Sequence, residues 1–290
     1  CDDDNTINSV SEKAKSLFDF FNSKEGDKSA IKNWSANFNS DSMKAFCEIL
    51  STILQLSGKR MDITPEHIES DAYDIVIEEF QDEFKTRKRF KSPKSSPSRN
   101  IDFESVIPSE NNNENDDESN SSDEPEAQEE NETSQSNQIS PIINFLKDKT
   151  MSKVFVSFWH ELSEVLLSCN AIYDQNFNKF RQWLIQFNKC QIRVLRLTST
   201  YCCLSLFNEL VISLNRSKNE LERLHKLESD DDPNPILRSQ KKIYEQNVEL
   251  YRKVSFYFLQ NVLFSRISDS DDAIRLISIQ SLTDAAIDCP

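Results

Sequence analysis

The chain has 290 residues, only two of them glycine, and a formal net charge of −15. Turns with positive φ and phosphate-cradling loops depend on glycine. The composition therefore argues against β-sandwiches and Gly-rich nucleotide-binding loops, and it indicates a mostly helical protein. The length suits one large domain or two modest ones. Because the chain starts with Cys and its last helical pattern ends abruptly, we expect a piece of a longer protein.

The negative charge is concentrated in one tract. Residues 100–146 contain 13 acidic residues and no Lys or Arg, which leaves 36 acidic against 34 basic residues elsewhere, a net charge of −2. The low pI therefore does not exclude binding to an anionic polymer such as DNA. It equally leaves open a role in binding proteins alone.

The seven cysteines include no CxxC pair and mostly fall within apolar helical patterns, so we expect reduced core thiols in an intracellular protein. No signal peptide is visible. No apolar run reaches the roughly 18 residues of a membrane span, because Asn208 and Glu209 interrupt the best candidate.

The first 84 residues predict a block of short helices. Apolar spacing predicts helices over residues 10–21 and 29–38, and a third that starts after Asp41 as N-cap and ends at Gly58. Thr64 and Pro65 then predict the start of a further helix that ends near Phe84.

Residues 85–140 form a basic and then acidic insertion. It opens with KTRKRFKSPK, and its Ser-, Glu- and Asn-rich continuation has too few apolar residues to offset chain entropy, which predicts disorder. The basic run suits a nuclear localisation signal, a DNA-contacting arm or a plain solvated segment. Three serines precede proline and are phosphorylation candidates: Ser92, Ser96 and Ser140.

Helical order returns at about residue 141. The segment Phe180–Leu214 predicts two helices separated at Asn188 and Lys189, and the second is apolar on two faces, as in the inner layer of a solenoid. A charged extension, a loop at residues 230–235 and a return helix over residues 236–264 predict a long antiparallel hairpin. Ser268 or Asp269 is expected to cap a last helix whose apolar residues lie inside.

Three blocks carry a family resemblance. They are residues 30–84 with their Ser57-Gly58 helix end, the run CQIRVLRLTST at residues 190–200, and VLFSRISDSDDAIRLISI at residues 262–279. The second block is similar to the Q-[VI]-R-x-[FL]-R-[HL]-T-[SA]-T pattern of the cohesin accessory subunits of the stromal antigen (SA, or STAG) family. The third resembles the family segment V-F-V-H-R-[YF]-R-D…I-R, after which helical repeats begin.

The resemblance implies an all-α fold: the N-terminal portion of a HEAT-like solenoid, with a long helical hairpin and the insertion described above. It implies four parts, namely residues 1–84, 85–140, a STAG-type domain at 141–264 and the first repeats at 265–290. It further implies a non-enzymatic, nuclear, chromosome-associated subunit that serves sister-chromatid cohesion. The implied partners are double-stranded DNA, the kleisin subunit (mostly through later repeats) and cohesin loading or release factors. Membranes and small-molecule substrates are not expected.

The candidate DNA-contacting residues are all basic. They are Lys85, Arg87, Lys88, Arg89, Lys91, Arg193, Arg196, Arg238, Lys241, Lys242, Arg266 and Arg275. Arg193 and Arg196 share a helix face, and they either face phosphate or, as is more common in solenoids, hold carbonyls and carboxylates between helices. Arg266 and Arg275 divide in the same way, with Asp269 as a candidate partner of Arg266.

The sequence departs from the family pattern in both later blocks. Ser265 and Ser268 stand where the family has His and Arg, and Leu197 stands where it has His. No catalytic, cofactor or metal site is predicted, because the three histidines lie far apart without ligand spacing and no G-x-S-x-G motif is present. The alternative function is a helical-repeat scaffold or transport adaptor without DNA binding.

Overall fold

The computed structural model describes residues 16–22, 26–90, 147–227 and 235–288; no side chain is described for residues 22, 83–90 and 288. The chain divides into two compact units, one formed by residues 1–83 with 138–290 and the other by residues 84–137. Within the described ranges every regular element is helical. The predicted all-α fold is therefore confirmed. Residues 91–140 of the insertion predicted to be disordered, with Lys91 and the three candidate phosphorylation sites, lie outside the described residues.

In its described residues, the N-terminal block has a 3-10 helix followed by four α-helices. The 3-10 helix is Leu17–Asn22, and the α-helices are α1 (Lys28–Ser40), α2 (Ser42–Leu56), α3 (Pro65–Glu69) and α4 (Tyr73–Phe90). The prediction of one helix from Thr64 to near Phe84 is wrong, since the chain forms two helices there, α3 and α4, and α4 continues to Phe90. The first residues of the basic run thus extend a helix instead of starting an irregular segment.

The local signals that the sequence offers in this block act as predicted. Asp41 caps α2 by accepting a hydrogen bond from the Lys44 N–H at 3.0 Å. Gly58 ends the same helix at φ 97°, a conformation that favours glycine. Thr64 and His67 form a capping box at α3, with Pro65 at its first position.

The second half begins with α5 (Lys149–Ser168), a short 3-10 turn (Ala171–Tyr173) and α6 (Phe177–Lys189). Aromatic side chains join α6 and α5 to the N-terminal block: Phe46 stacks on Phe180 with ring centroids 4.6 Å apart, and Phe21 contacts Phe158 at 4.8 Å. The N-terminal block and the helices α5 and α6 therefore share one apolar core.

The predicted helical pair and hairpin are α6, α7 (Arg193–Leu227) and α8 (Pro235–Phe258). The break between α6 and α7 falls at residues 190–192, just after the predicted position. Pro235, expected in the loop, starts α8; the rest of that loop lies outside the described residues. Helix α8 continues through a π-helical turn (Leu259–Leu263) into a short helix α9 (Phe264–Arg266).

Helix α7 is the central element of the unit. It packs against α5, α6 and α8 and against the last helix, α10 (Asp272–Asp288). By length and composition α7 is apolar enough to cross a membrane, which the sequence argument did not anticipate, but 72% of its apolar window is buried inside the protein. We therefore interpret it as a core helix.

The last helix departs from prediction in two ways. Its cap is Asp271, which accepts from the Ala273 and Ile274 N–H groups, and not Ser268 or Asp269. Its apolar residues are also not all inside, since Ile274 is buried but Leu276 is 66% exposed. The prediction erred because α10 turns its serine-rich face towards α7, with Ser281 donating to Asn208 at 2.7 Å.

Free thiols occur at the five cysteines within the described ranges, and four of these are buried. Burial raises the pKa of the Cys47 thiol to about 12. These cysteines are core residues, as predicted; Cys1 and Cys289 lie outside the described residues.

Candidate functional site

The predicted DNA-contacting residues fall into three groups in the structure. The first is the arm, defined here as Lys85, Arg87, Lys88, Arg89 and Lys91. Its first four members belong to the last two turns of α4, while Lys91 lies outside the described residues. The arm is thus at least partly helical.

The second group is the hairpin cluster, defined as Arg238, Lys241 and Lys242. It lies in the first two turns of α8, where Arg238 and Lys242 are exposed and Lys241 is half-buried. Residues three and four positions apart share one side of a helix, so the three cations are neighbours. Arg238 and Lys242 therefore present positive charge to solvent near the described end of the hairpin.

The third group forms an arginine–aspartate clasp between the start of α7 and the segment leading into α10. It consists of Arg193, Arg196, Arg266, Arg275, Asp269, Asp271 and Asp272. At its centre Arg196 donates from Nε and Nη2 to the two carboxylate oxygens of Asp269, at 3.0 and 3.2 Å. Its Nη1 also donates to the Cys190 and Gln191 carbonyls at 3.0 and 3.1 Å. Of the two alternatives predicted for Arg196, the structure therefore shows the one in which it binds carbonyls and a carboxylate between helices.

The other arginines of the clasp are paired as well. Arg266 contacts the Asp269 carboxylate, which confirms the expected pair, and Arg193 contacts Asp271. Arg275 donates from Nη1 to the Asp269 carbonyl at 2.7 Å and pairs with Asp272. Whether any of these arginines also contacts DNA stays a prediction.

Burial sets the electrostatics of the clasp. Burial alone would raise the pKa of Asp269, but the Asp271 N–H and the Arg196 guanidinium hold that pKa below its ordinary value. Asp271 behaves similarly: burial acts upwards, the hydrogen bond from Arg193 acts downwards, and the net shift of its pKa is downwards. Burial lowers the pKa of Arg266, partly offset by Asp269. The aspartates therefore remain ionised and hold the arginines in place.

Sequence reasoning missed the partner of Arg196. Asp269 lies 73 residues further along the chain, and only the fold brings the two together. The available signal was the pairing of an R-x-x-R block with an R-x-x-D block in one chain, both otherwise surrounded by apolar residues. Reading the blocks jointly would have suggested a contact.

Two of the three histidines make contacts within the protein. His67 completes the capping box of α3, and His160 Nδ1 lies 2.9 Å from Oε1 of Glu209, a carboxylate that is only 5% exposed. Burial raises the pKa of Glu209, and His160 partly offsets that effect. Within the described ranges, no group of three or more His, Cys, Asp or Glu residues is arranged to hold a metal ion.

Fold and geometry together define a helical-repeat protein whose long inner helix, α7, is tied by buried charge to the segment that leads into α10. Residues 140–242 match the family model of the STAG domain. The resemblance to the SA/STAG family is thereby confirmed. No curated protein sequence matches the chain.

Solved structures provide the second comparison. Twenty chains match, among them cohesin subunit Scc3 from Z. rouxii (residues 88–1035), with a TM-score of 0.65 and 14% sequence identity. The match covers 95% of this chain and 28% of the Scc3 chain. The present chain thus has the same helical fold and spans less than a third of that structure's length.

Proposed function

We propose that this chain is the N-terminal part of a non-enzymatic cohesin subunit of the SA/STAG type. In this role it helps to hold the cohesin complex on chromosomal DNA and supports sister-chromatid cohesion in the nucleus. The observation that carries the proposal is the match of residues 140–242 to the STAG domain model within a fold shared with cohesin subunit Scc3. The kleisin subunit is the proposed protein partner, with loading or release factors as further candidates.

Double-stranded DNA is the proposed nucleic-acid partner, and the arm and the hairpin cluster are the proposed contacts. Two members of the hairpin cluster, Arg238 and Lys242, are exposed, and the arm concentrates four cations within residues 85–89. The clasp is the less suitable DNA surface, because Arg196 is 9% exposed and four of its five N–H groups already have acceptors in the protein. The arm is also the proposed nuclear localisation signal.

DNA binding of the chain at low and moderate salt, with and without a kleisin segment, tests this proposal. Two charge reversals are compared with the unaltered chain: Lys85, Arg87, Lys88 and Arg89 to Glu in the arm, and Arg238, Lys241 and Lys242 to Glu in the hairpin cluster. Each lost phosphate contact is expected to reduce the slope of log affinity against log salt by roughly 0.9. The control reverses three exposed lysines elsewhere, Lys44, Lys149 and Lys153.

The outcomes separate DNA contact from net charge. If the control weakens binding as much as the hairpin variant, overall charge governs the interaction and the proposed surfaces are wrong. If the chain ignores DNA in every condition yet binds protein partners, the alternative of a helical-repeat scaffold without DNA contact is correct. The net charge of −15 is the observation that favours that alternative.

A further inference from the structure

Among the described residues, Arg181 on α6 lacks the carboxylate partner that every arginine of the clasp has. Its guanidinium carbon lies 3.7 Å from the centre of the Tyr257 ring, and its Nη2 donates to Asn178 Oδ1 at 3.1 Å. Its Nε is buried and has no hydrogen-bond acceptor. In the described part of the chain, no carboxylate forms an ion pair with this arginine.

The surroundings of Arg181 leave its charge uncompensated. Burial lowers the pKa of Arg181, and the only group that opposes the shift is Tyr257. Helix α6 carries Lys179, Arg181 and Lys189 and no acidic residue over its 13 positions. Lys179 already donates to the Ile68 and Glu69 carbonyls at the end of α3. The face of a tyrosine attracts a guanidinium, but it supplies no acceptor for its N–H groups.

We propose that Arg181, stacked on Tyr257 and held by Asn178, is a binding site for a carboxylate. An arginine that is half-buried, fixed in orientation and lacking a counterion is complementary to an oxyanion, because the planar fork of the guanidinium matches a carboxylate. The Tyr257 ring covers one face of the Arg181 guanidinium, so a ligand approaches the edge of the guanidinium.

The carboxylate belongs to an Asp or Glu side chain of a partner protein. A DNA track needs several cations that follow the phosphates, whereas here one arginine is bordered by a tyrosine and an asparagine. Arginine and tyrosine are the residue types that dominate the binding energy at protein interfaces. The site lies at the junction of α6 with the π-helical turn after α8, where Asn261 Nδ2 donates to the Tyr257 carbonyl at 2.9 Å. Turns of this kind often occur at functional sites.

The test is an array of 12-residue peptides, each with one central Asp or Glu, and each paired with its Asn or Gln counterpart. The whole chain is applied as wild type, as Arg181→Lys and as Arg223→Lys. Arg223 is the matched control, since it lies exposed on α7 and pairs with Glu220 at 2.8 Å. The expected result is that acidic peptides bind the wild type and the control alike, and bind Arg181→Lys about tenfold more weakly.

A second measurement follows the Arg181 side chain directly by NMR. The Nε–Hε resonance that disappears in Arg181→Lys is titrated with the best acidic peptide, with acetate, with inorganic phosphate and with a DNA duplex. The proposal expects the peptide to shift this resonance at the lowest concentration and acetate to shift it weakly. Peptides that bind Arg181→Lys as well as the wild type, or a resonance that no acid shifts, overturn the proposal. A duplex that acts at lower concentration than the peptide overturns it in favour of nucleic acid.

Discussion

The clasp and the hairpin cluster both consist of basic residues, but those of the clasp are paired within the protein and the exposed ones of the hairpin cluster face solvent. Arg196 is surrounded by the Asp269 carboxylate and two backbone carbonyls, whereas Arg238 and Lys242 stand in solvent. Removing a charge from water is costly unless it is paired and hydrogen-bonded, and the clasp meets that condition. A basic residue in this fold is therefore structural or available for a ligand according to whether its N–H groups already have acceptors.

Arg181 lies between these two extremes. It is half-buried like Arg266 and Arg275 of the clasp, but it has only Asn178 as acceptor and Tyr257 as a stacking partner. The comparison thus orders the arginines by how completely the protein itself satisfies them. Substituting an arginine should therefore lower the free energy of unfolding more when more of its N–H groups have acceptors within the protein.

The largest effect is expected from Asp269→Asn. The substitution leaves Arg196 and Arg266 without the carboxylate that both contact, and removing one partner of a buried ion pair costs roughly 3–5 kcal/mol. Urea unfolding followed by circular dichroism measures the change. Asp272→Asn is the control, because that side chain is 90% exposed and should change the free energy of unfolding by less than about 0.5 kcal/mol. Equal effects from both substitutions would mean that the clasp does not hold α10 against α7.

Acidification should remove the same interaction gradually. The pKa values of Asp269 and Asp271 are lower in the folded chain than the ordinary value of 3.8. A lowered folded-state pKa means that the stabilisation is complete above 3.8 and is lost as the pH falls further towards the folded values. The difference in unfolding free energy between wild type and Asp269→Asn should therefore be constant from pH 7 to about 5 and shrink below about 4. A difference that stays constant to pH 2 would contradict this assignment.

A smaller effect is expected where Arg181 meets Tyr257. Tyr257→Leu removes the aromatic face, and a cation–π contact at a partly exposed site contributes about 0.5–1 kcal/mol. Tyr257→Phe keeps a ring at the same place and is the matched control. Thermal unfolding of both variants measures the difference. If Phe and Leu destabilise the chain equally, the stacking on Arg181 is not what stabilises this position.

Much of the fold follows from the sequence because its signals are local. Apolar spacing predicts the α6–α7 pair, and Asp41, Gly58 and Thr64 define helix ends through bonds to residues within a turn. One of the errors is local, and another arises from a contact between residues distant in sequence. Helix α4 continues to Phe90 although the composition changes sharply at Lys85. Asp271 caps α10 in place of Ser268 or Asp269, because Asp269 is engaged with Arg196.

The site was less predictable because its determinants are distant in sequence. The basic residues are visible as residue types, but their partners lie up to 78 positions away, as for Arg193 and Asp271. Arg181 gave no signal at all, since it sits within an apolar stripe and its distinguishing property is the absence of a nearby carboxylate. Only the folded geometry sorts these cations into paired, solvated and uncompensated groups.

The smallest effect on stability is expected at the hairpin cluster. Arg238→Ala and Lys242→Ala alter exposed side chains, so the free energy of unfolding should change by less than about 0.5 kcal/mol each. The same variants should weaken binding to duplex DNA and make it less sensitive to salt, because phosphate contacts release counterions. Unfolding curves and DNA titrations on the same preparations separate the two properties. If these variants destabilise the chain and leave DNA binding unchanged, the hairpin cluster is structural like the clasp. Exposure would then not distinguish cations that bind a ligand from cations that stabilise the fold.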